Sequence, residues 1–399
     1  MNKKTQEMNV VTKISEIIER IGINFATGIP CGVLREFIQA VTLNPRILHI
    51  PALNEREAVG LAAGAYLGGK IPLLYMQNSG FFVSSNDYAS ILALMKIPAL
   101  SIISHRGCEG EDSTQHLLTG KHTTALLNGL EIFYNEIIND DLEQAFLVAA
   151  QHAKRTSMPT VVLIKRSRIQ SLTDSNAKHT TENMSIRPIP MGSVHELMTE
   201  SVNIDRDTAI DCIVSIASSL REARLPAIIS TTGIISRSLF ERYDNSNLMY
   251  NPGGFGQTSA IGYGFALAKP RTRTIVIDGD ASVLADLGNI VLIGAHTPKR
   301  LIHIIIDNEA YGSCSEEQSL SFIVNLPTMA AVSGYRNVFR VDTLERLRSS
   351  LIKCLILDGP NMIIAKVKLG GRRDFARPLD MGLISGRFRN YFTSQSALV

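Results

Sequence analysis

Short apolar runs recur along the chain, each closed by a polar or glycine-bearing turn. In the first half they are RILHI (46–50), PLLYM (72–76), ALSII (99–103) and TVVLI (160–164). In the second they are AIIST (227–231), TIVID (274–278), LIHIIID (301–307) and MIIAKV (362–367). Most are apolar nearly throughout and five to seven residues long, the pattern of strands buried on both faces. Stretches of helical period separate them, beginning with the amphipathic N-terminal segment. Strands alternating with helices predict an α/β class built on open parallel sheets. Between about residues 168 and 205 the chain turns polar without a clear period (QSLTDSNAKHTTENMSIRPIP), which reads as a linker. The expected organisation is a domain over 1–168, a linker over 169–205 and a second domain over 206–399.

The two halves register on each other. A shift of 202 places 58–80 (AVGLAAGAYLGGKIPLLYMQNSG) on 260–282 (AIGYGFALAKPRTRTIVIDGDAS). The same shift places 97–107 on 299–309 and 159–165 on 361–367. Identity is low, and any two α/β halves share apolar strands, but one constant offset across three strands points to two copies of one fold. The register also exposes a difference, because Asp280 falls opposite Asn78 and Asn308 opposite Arg106.

Composition narrows the classes. With 40 Lys and Arg against 37 Asp and Glu, the net charge of +3 gives no electrostatic footprint for nucleic acid. The five cysteines (Cys31, Cys108, Cys212, Cys314, Cys354) form no CxxC pair, which argues against a zinc knuckle or a disulfide framework and predicts a cytoplasmic setting. No apolar stretch reaches membrane-spanning length, and the N-terminus lacks the continuous apolar core of a signal peptide.

The chemistry concentrates where apolar runs end in polar residues. TIVID leads into Gly279-Asp280-Ala281-Ser282, and LIHIIID leads into Asn308. In open α/β sheets ligands bind beyond the carboxyl ends of strands. A carboxylate, an amide oxygen and a loop carbonyl are hard oxygen donors suited to Mg²⁺ or Ca²⁺, with phosphate completing the shell. Taken singly, Asp280 would serve as a helix N-cap and Asn308 as a turn residue. Taken together, 28 positions apart, they read as a metal and diphosphate site, with the amides of Ala281 and Ser282 facing the phosphate.

This pattern resembles the diphosphate-binding signature of thiamine diphosphate (ThDP) enzymes, GDG followed after about two dozen residues by NN. The resemblance implies Mg²⁺ ligation by Asp280, Asn308 and the Ala310 carbonyl, with Tyr311 beside them at the cofactor. Two departures stand out: Ala281 replaces the third glycine, and Asp307 replaces the first asparagine. Asn54-Glu55-Arg56-Glu57-Ala58 resembles the family's glutamate motif, which implies that Glu55 bonds N1′ of the aminopyrimidine. Glu57 alone would be an ordinary first-turn acid. In NPGGFGQTSAIG (251–262) the resemblance implies Phe255 as the wedge between the cofactor rings and the Gly253 carbonyl as the acceptor of the 4′-amino group. The implied fold is a pyrimidine-binding domain followed by a diphosphate-binding domain, with no middle domain.

The short two-domain form is similar to the phosphonopyruvate and sulfopyruvate decarboxylases over nearly the whole chain. TGIPCGVL, YMQNSG, HRG, STTGIISRSLF, DNEAYGS and RRDFARP carry the likeness. It implies decarboxylation of a small anionic 2-oxo acid, with phosphonopyruvate favoured because both halves share one chain. An anionic substrate calls for cations and polar donors, and Asn78, Ser79, Arg106 and Gln318 are the candidates. His116, in the polar segment CEGEDSTQHLLTGKH (108–122), is the expected proton relay beneath a lid. Glu316 and Glu317, standing where the family has Gly-Asn, would be unfavourable beside such a substrate unless they point away. In the family the cofactor bridges subunits, so a homodimer or homotetramer is expected. A sulfopyruvate decarboxylase, a ThDP carboligase and an inactive ThDP-fold scaffold are the competing readings.

Overall fold

The computed structural model describes residues 3–108, 113–137, 141–165, 189–199, 201–220 and 224–394. The chain divides between residues 188 and 189 into two compact α/β units.

In the first unit the strands are β1 (Phe25–Gly28), β2 (Leu48–Pro51), β3 (Pro72–Gln77), β4 (Leu100–His105), β5 (Phe133–Glu136) and β6 (Thr160–Lys165). They form one parallel sheet in the order β2-β1-β3-β4-β6-β5. The helices are α1 (Lys3–Arg20), α2 (Arg35–Leu43), α3 (Glu55–Leu67), α4 (Asn78–Asp87), α5 (Leu117–Gly129) and α6 (Leu142–Thr156). One face of the sheet packs on a core that includes Ile14, Ile18, Phe37 and Phe146, the last two stacked at 5.8 Å. Burying each such side chain is worth about 1.5–3 kcal/mol.

The second unit contains β7 (Ser193–Leu197), β8 (Ala227–Ser230), β9 (Leu248–Tyr250), β10 (Thr274–Gly279), β11 (Leu301–Asp307), β12 (Asn337–Val341) and β13 (Asn361–Lys366). Its parallel sheet runs β7-β12-β13-β11-β10-β8-β9. Around it lie α7 (Arg206–Ser218), α8 (Ile234–Tyr243), α9 (Thr258–Ala268), α10 (Asp280–Ala285), α11 (Gly288–His296), α12 (Leu326–Ser333), α13 (Leu344–Ile356) and α14 (Met381–Thr393). Acceptor side chains cap several helices: Asp205 takes the amide of Thr208, Thr343 that of Arg346 and Asp380 that of Leu383.

The two sheets share one topology, since the order β9-β8-β10-β11-β13-β12 repeats β2-β1-β3-β4-β6-β5. The offset of 202 carries Phe25–Gly28 onto Ala227–Ser230 and Pro72–Gln77 onto Thr274–Gly279, residue for residue. It also carries the first residue of α4 onto that of α10, Asn78 onto Asp280. The duplication read from the apolar runs is therefore a duplication of the fold.

The expected linker needs correction. Residues 193–197 lie within it yet form β7, paired in parallel with β12 over Asn337–Val341. Residues 166–188 lie outside the described residues. Among the described residues no helix is long and apolar enough to cross a membrane, and all five cysteines are unpaired.

Candidate active site

Within the second unit, β10 ends at Gly279, whose extended backbone (φ −102°, ψ 155°) turns the chain into α10 at Asp280. Asp280 is only 2% exposed and lines a cavity of about 300 Å³ at the strand ends. The hydroxyls of Ser319 and Ser321 both donate to its Oδ2, the latter at 3.0 Å. Burial lifts this carboxyl above its ordinary range; the Ser319 bond opposes that lift and the neighbouring Asp307 adds to it. Asn308 and Ala310 line the same cavity, and Asn308 Oδ1 accepts the Ala310 amide at 3.1 Å. Gly312 leaves room for this arrangement, since a Cβ there would lie 2.6 Å from Asn308 Nδ2. Ala281, in the first turn of α10, has negative φ, so an alanine fits where the family has glycine.

The donors suit the ion expected of them. Asp280, Asn308 and Ala310 line a common cavity and carry between them a carboxylate, an amide oxygen and a backbone carbonyl, a hard-oxygen set of the kind Mg²⁺ takes beside phosphate. Among the described residues no group of three or more His, Cys, Asp or Glu is placed to hold a metal, so softer clusters do not compete. Ser282 extends the cradle: its Oγ accepts from Thr231 Oγ1 at 3.2 Å and from the Gly256 amide at 3.3 Å.

Asp307, the second departure from the family pattern, is buried and paired with buried Lys366, Nζ to Oδ2 at 2.9 Å. It also accepts from Ser321 Oγ at 2.9 Å, while Lys366 reaches Glu309 as well. The extra charge therefore has an internal counter-ion. Asp278 faces elsewhere. It is fully buried, with Oδ2 3.6 Å from His303 Nε2, and His303 Nδ1 lies 3.2 Å from the Tyr335 hydroxyl. Burial, then Asp278, raise the Tyr335 phenol well above its usual range.

The glycine-rich segment before α9 is braced from within. Asn251 accepts the Gly254 amide at 3.0 Å and donates to the Gly254 carbonyl at 2.7 Å. Gly256, at φ +89°, makes the turn, and Asn289 donates to its carbonyl at 2.9 Å. This leaves Phe255, 38% exposed, lining the cavity, and Gly253 offering its carbonyl to the Phe255 amide at 3.0 Å.

The first unit gathers a second polar cluster at its own strand ends. Glu55 opens α3, and its carboxyl rests on Gly80, where a Cβ would meet Oε1 at 2.3 Å. Glu57 is the local capping acid, fully buried and accepting the Leu53 amide at 2.5 Å. Gln77 Nε2 donates to Ser79 Oγ at 2.9 Å and sits 3.2 Å from His116 Nδ1.

Three expectations need correction here. The segment expected as a polar lid loop is not a loop around His116, which is buried, closes a 3₁₀ turn and precedes α5 directly. The expected lid is thus helical from Leu117 onward, and residues 109–112 lie outside the described residues. Gly107 (φ +77°) and Gly120 make that packing possible, for a Cβ on either would strike backbone at 1.9 Å or 2.3 Å. Asn78 is fully buried and committed, donating to the Arg106 carbonyl and Thr123 Oγ1, both at 3.0 Å. A side chain with no exposed surface and satisfied donors cannot face a substrate, so Asn78 closes a strand end instead. Arg106 braces it through the backbone, its amide 3.3 Å from Asn78 Oδ1.

The third correction concerns Gln318, which is exposed on a loop closed by the Ala310–Gln318 bridge and lines no part of the cavity. The adjoining acids also point away from it: Glu316 pairs with Arg373 at 2.9 Å and Glu317 with Ser315.

Comparison with known proteins adds what geometry alone does not give. The thiamine pyrophosphate enzyme C-terminal TPP binding domain matches residues 234–365. The chain is 31% identical over 383 residues to a phosphonopyruvate decarboxylase of Streptomyces viridochromogenes, covering 94% of this chain and 93% of that protein. It belongs to this family of thiamine diphosphate-dependent decarboxylases. A sulfopyruvate decarboxylase of Methanosarcina acetivorans is 26% identical over 85% of this chain and 86% of its own. In fold, the decarboxylase is similar to a thiamine diphosphate-dependent 4-hydroxybenzoylformate decarboxylase of Rhodococcus jostii (TM-score 0.71, 12% identity, 90% of this chain and 99% of that one).

Several groups in or behind the decarboxylase's cavity escaped sequence reasoning. Ser319 and Ser321 reach Asp280 from 39 and 41 positions away, and Lys366 reaches Asp307 from 59, so no local spacing announces them. Arg206 and Arg237 also line the cavity. Arg237 lies inside the family-like stretch STTGIISRSLF, the one signal that marked it.

Proposed function

We propose that the enzyme converts 3-phosphonopyruvate to phosphonoacetaldehyde and CO₂ with ThDP and Mg²⁺, as a step in phosphonate biosynthesis in the cytoplasm. The observation that carries the substrate is the likeness to a phosphonopyruvate decarboxylase at 31% identity over 94% of the chain, against 26% over 85% for the sulfopyruvate enzyme. Bound ThDP would supply a carbon nucleophile for the keto group and an electron sink for the pair left when the carboxylate departs. Asp280, Asn308 and the Ala310 carbonyl hold Mg²⁺, and the first-turn amides of α10 receive the diphosphate. Phe255 would pack against the bound cofactor, and the Gly253 carbonyl would accept its amino group. Glu55 hydrogen-bonds N1′ of the aminopyrimidine. His116, oriented by Gln77, delivers the proton that replaces CO₂ on the product carbon. Ser79 and Arg106 receive the substrate's anionic groups. The working form is a homodimer or a homotetramer.

The deciding experiment supplies the protein with ThDP and Mg²⁺ and assays phosphonopyruvate, sulfopyruvate and pyruvate in parallel with an aldehyde trap. Phosphonopyruvate is expected to lead in kcat/KM by at least about tenfold, the difference one charged hydrogen bond makes. Activity should disappear with EDTA and return with Mg²⁺. A lead for sulfopyruvate would reassign the substrate, and turnover of none of the three would overturn the reading.

A further inference from the structure

Arg237 lies in the first turns of α8 and lines the same cavity as Asp280, Ser282 and Asn308. The other arginine of that cavity is already engaged. Arg206 bonds Asp207 at 2.9 Å and the Arg372 carbonyl, and its guanidinium lies 5.9 Å from the Phe375 ring. Arg237 is different: it is half-buried, and its guanidinium has no hydrogen-bond or ion-pair partner among the described residues. Its charged neighbour is another arginine, Arg377; burial first, and that like charge second, pull its pKa down.

A guanidinium held in a cavity beside a like charge and without an acid is unfavourable until an anion arrives. Gly233, at φ +89°, turns the chain into α8, and the Ile234 amide reaches Ser313 Oγ at 3.3 Å. One divalent metal, partly neutralised by the carboxylate of Asp280, would leave much of a diphosphate's negative charge uncompensated. An arginine fork matches the geometry of phosphorus oxyanions.

We propose that Arg237 binds a tetrahedral oxyanion in this cavity, supplied by the outer phosphate of the cofactor or by the phosphonate at C3 of the substrate. Both sources rest on the cofactor placement proposed above, and the second rests on the proposed substrate as well.

Arg237→Gln and Arg237→Lys test this. Binding of Mg²⁺ with inorganic pyrophosphate, and of ThDP, is measured by calorimetry, and KM for phosphonopyruvate is measured at saturating ThDP. If the cofactor is the source, Arg237→Gln weakens pyrophosphate and ThDP by about tenfold or more, the loss expected for one charged bond, with KM unchanged. If the substrate is the source, KM rises by about tenfold with ThDP affinity unchanged, and the preference over pyruvate is lost. Arg237→Lys keeps the charge without the fork and should fall between wild type and Arg237→Gln. Affinities and KM all within about twofold of wild type, in a variant with the wild-type melting temperature, would overturn the proposal. Should Arg237→Gln fail to fold, the same comparison is read from Arg237→Lys. The pyrophosphate arm needs no turnover, so a wrong substrate and a wrong role for Arg237 give different results.

Discussion

The two units are copies of one fold, with an acid and an amide exchanged between them. At one duplicated position the first unit has Glu55 and the second Gln257; at another the first has Asn78 and the second Asp280. Each copy thus holds one acid and one amide, in opposite places. The amides are fully buried and tied within their own domains, Asn78 to Arg106 and Thr123, Gln257 to Asp286 at 2.7 Å. The acids are the offered groups: Glu55 is half-buried over Gly80, and Asp280 lines the cavity. A sheet end needs one polar group to close it, and an amide does so at lower desolvation cost than a carboxylate. The position not needed for closure is free to carry charge, and the copies have made that choice in opposite senses.

The exchange can be broken one position at a time. Glu55→Gln makes the first copy amide-only; decarboxylation should fall by about 10²–10⁴-fold while ThDP binding and melting temperature persist. Near-normal turnover in that variant would remove Glu55 from its proposed role. Asn78→Asp puts an acid where the first copy is sealed, facing the Arg106 carbonyl with no donor of its own. A loss of about 2–4 kcal/mol in unfolding free energy by urea titration is expected, and an unchanged midpoint would show that the strand end tolerates charge. Ala281→Gly restores the family's glycine and should matter least. It should leave kcat within about twofold and cost at most about 1 kcal/mol, because the backbone there already suits alanine. A large gain in ThDP affinity would instead mark Ala281 as a handicap.

The sequence made the long, doubly buried strands plain, because β3, β4, β6, β10, β11 and β13 are nearly continuous apolar runs. β1 and β9, at four and three residues, are too short to show a period. β5 is only half-buried and β7 largely exposed, so neither carries the apolar signal of a central strand. At the site, strand-end residues such as Asp280 and Asn308 were legible because their positions follow from the strands. Ser319, Lys366 and Arg237 were not, since they arrive through folding from distant segments or carry no periodic mark. Asn78 misled because its position in the fold is that of a ligand-binding residue while its bonds are those of a brace.

β7 gives the segment read from the sequence as a linker a second task. Its five residues, three of them exposed and with Ser193, His195 and Glu196 among them, cover the outer edge of β12. A bare strand edge invites pairing with another chain, and a short polar cover guards against it. That sets a rule for dividing this polypeptide into two. A cut before Ser193 leaves the second fragment with its guard strand, whereas a cut after Leu197 sends the guard away with the wrong piece and leaves β12 open to aggregation.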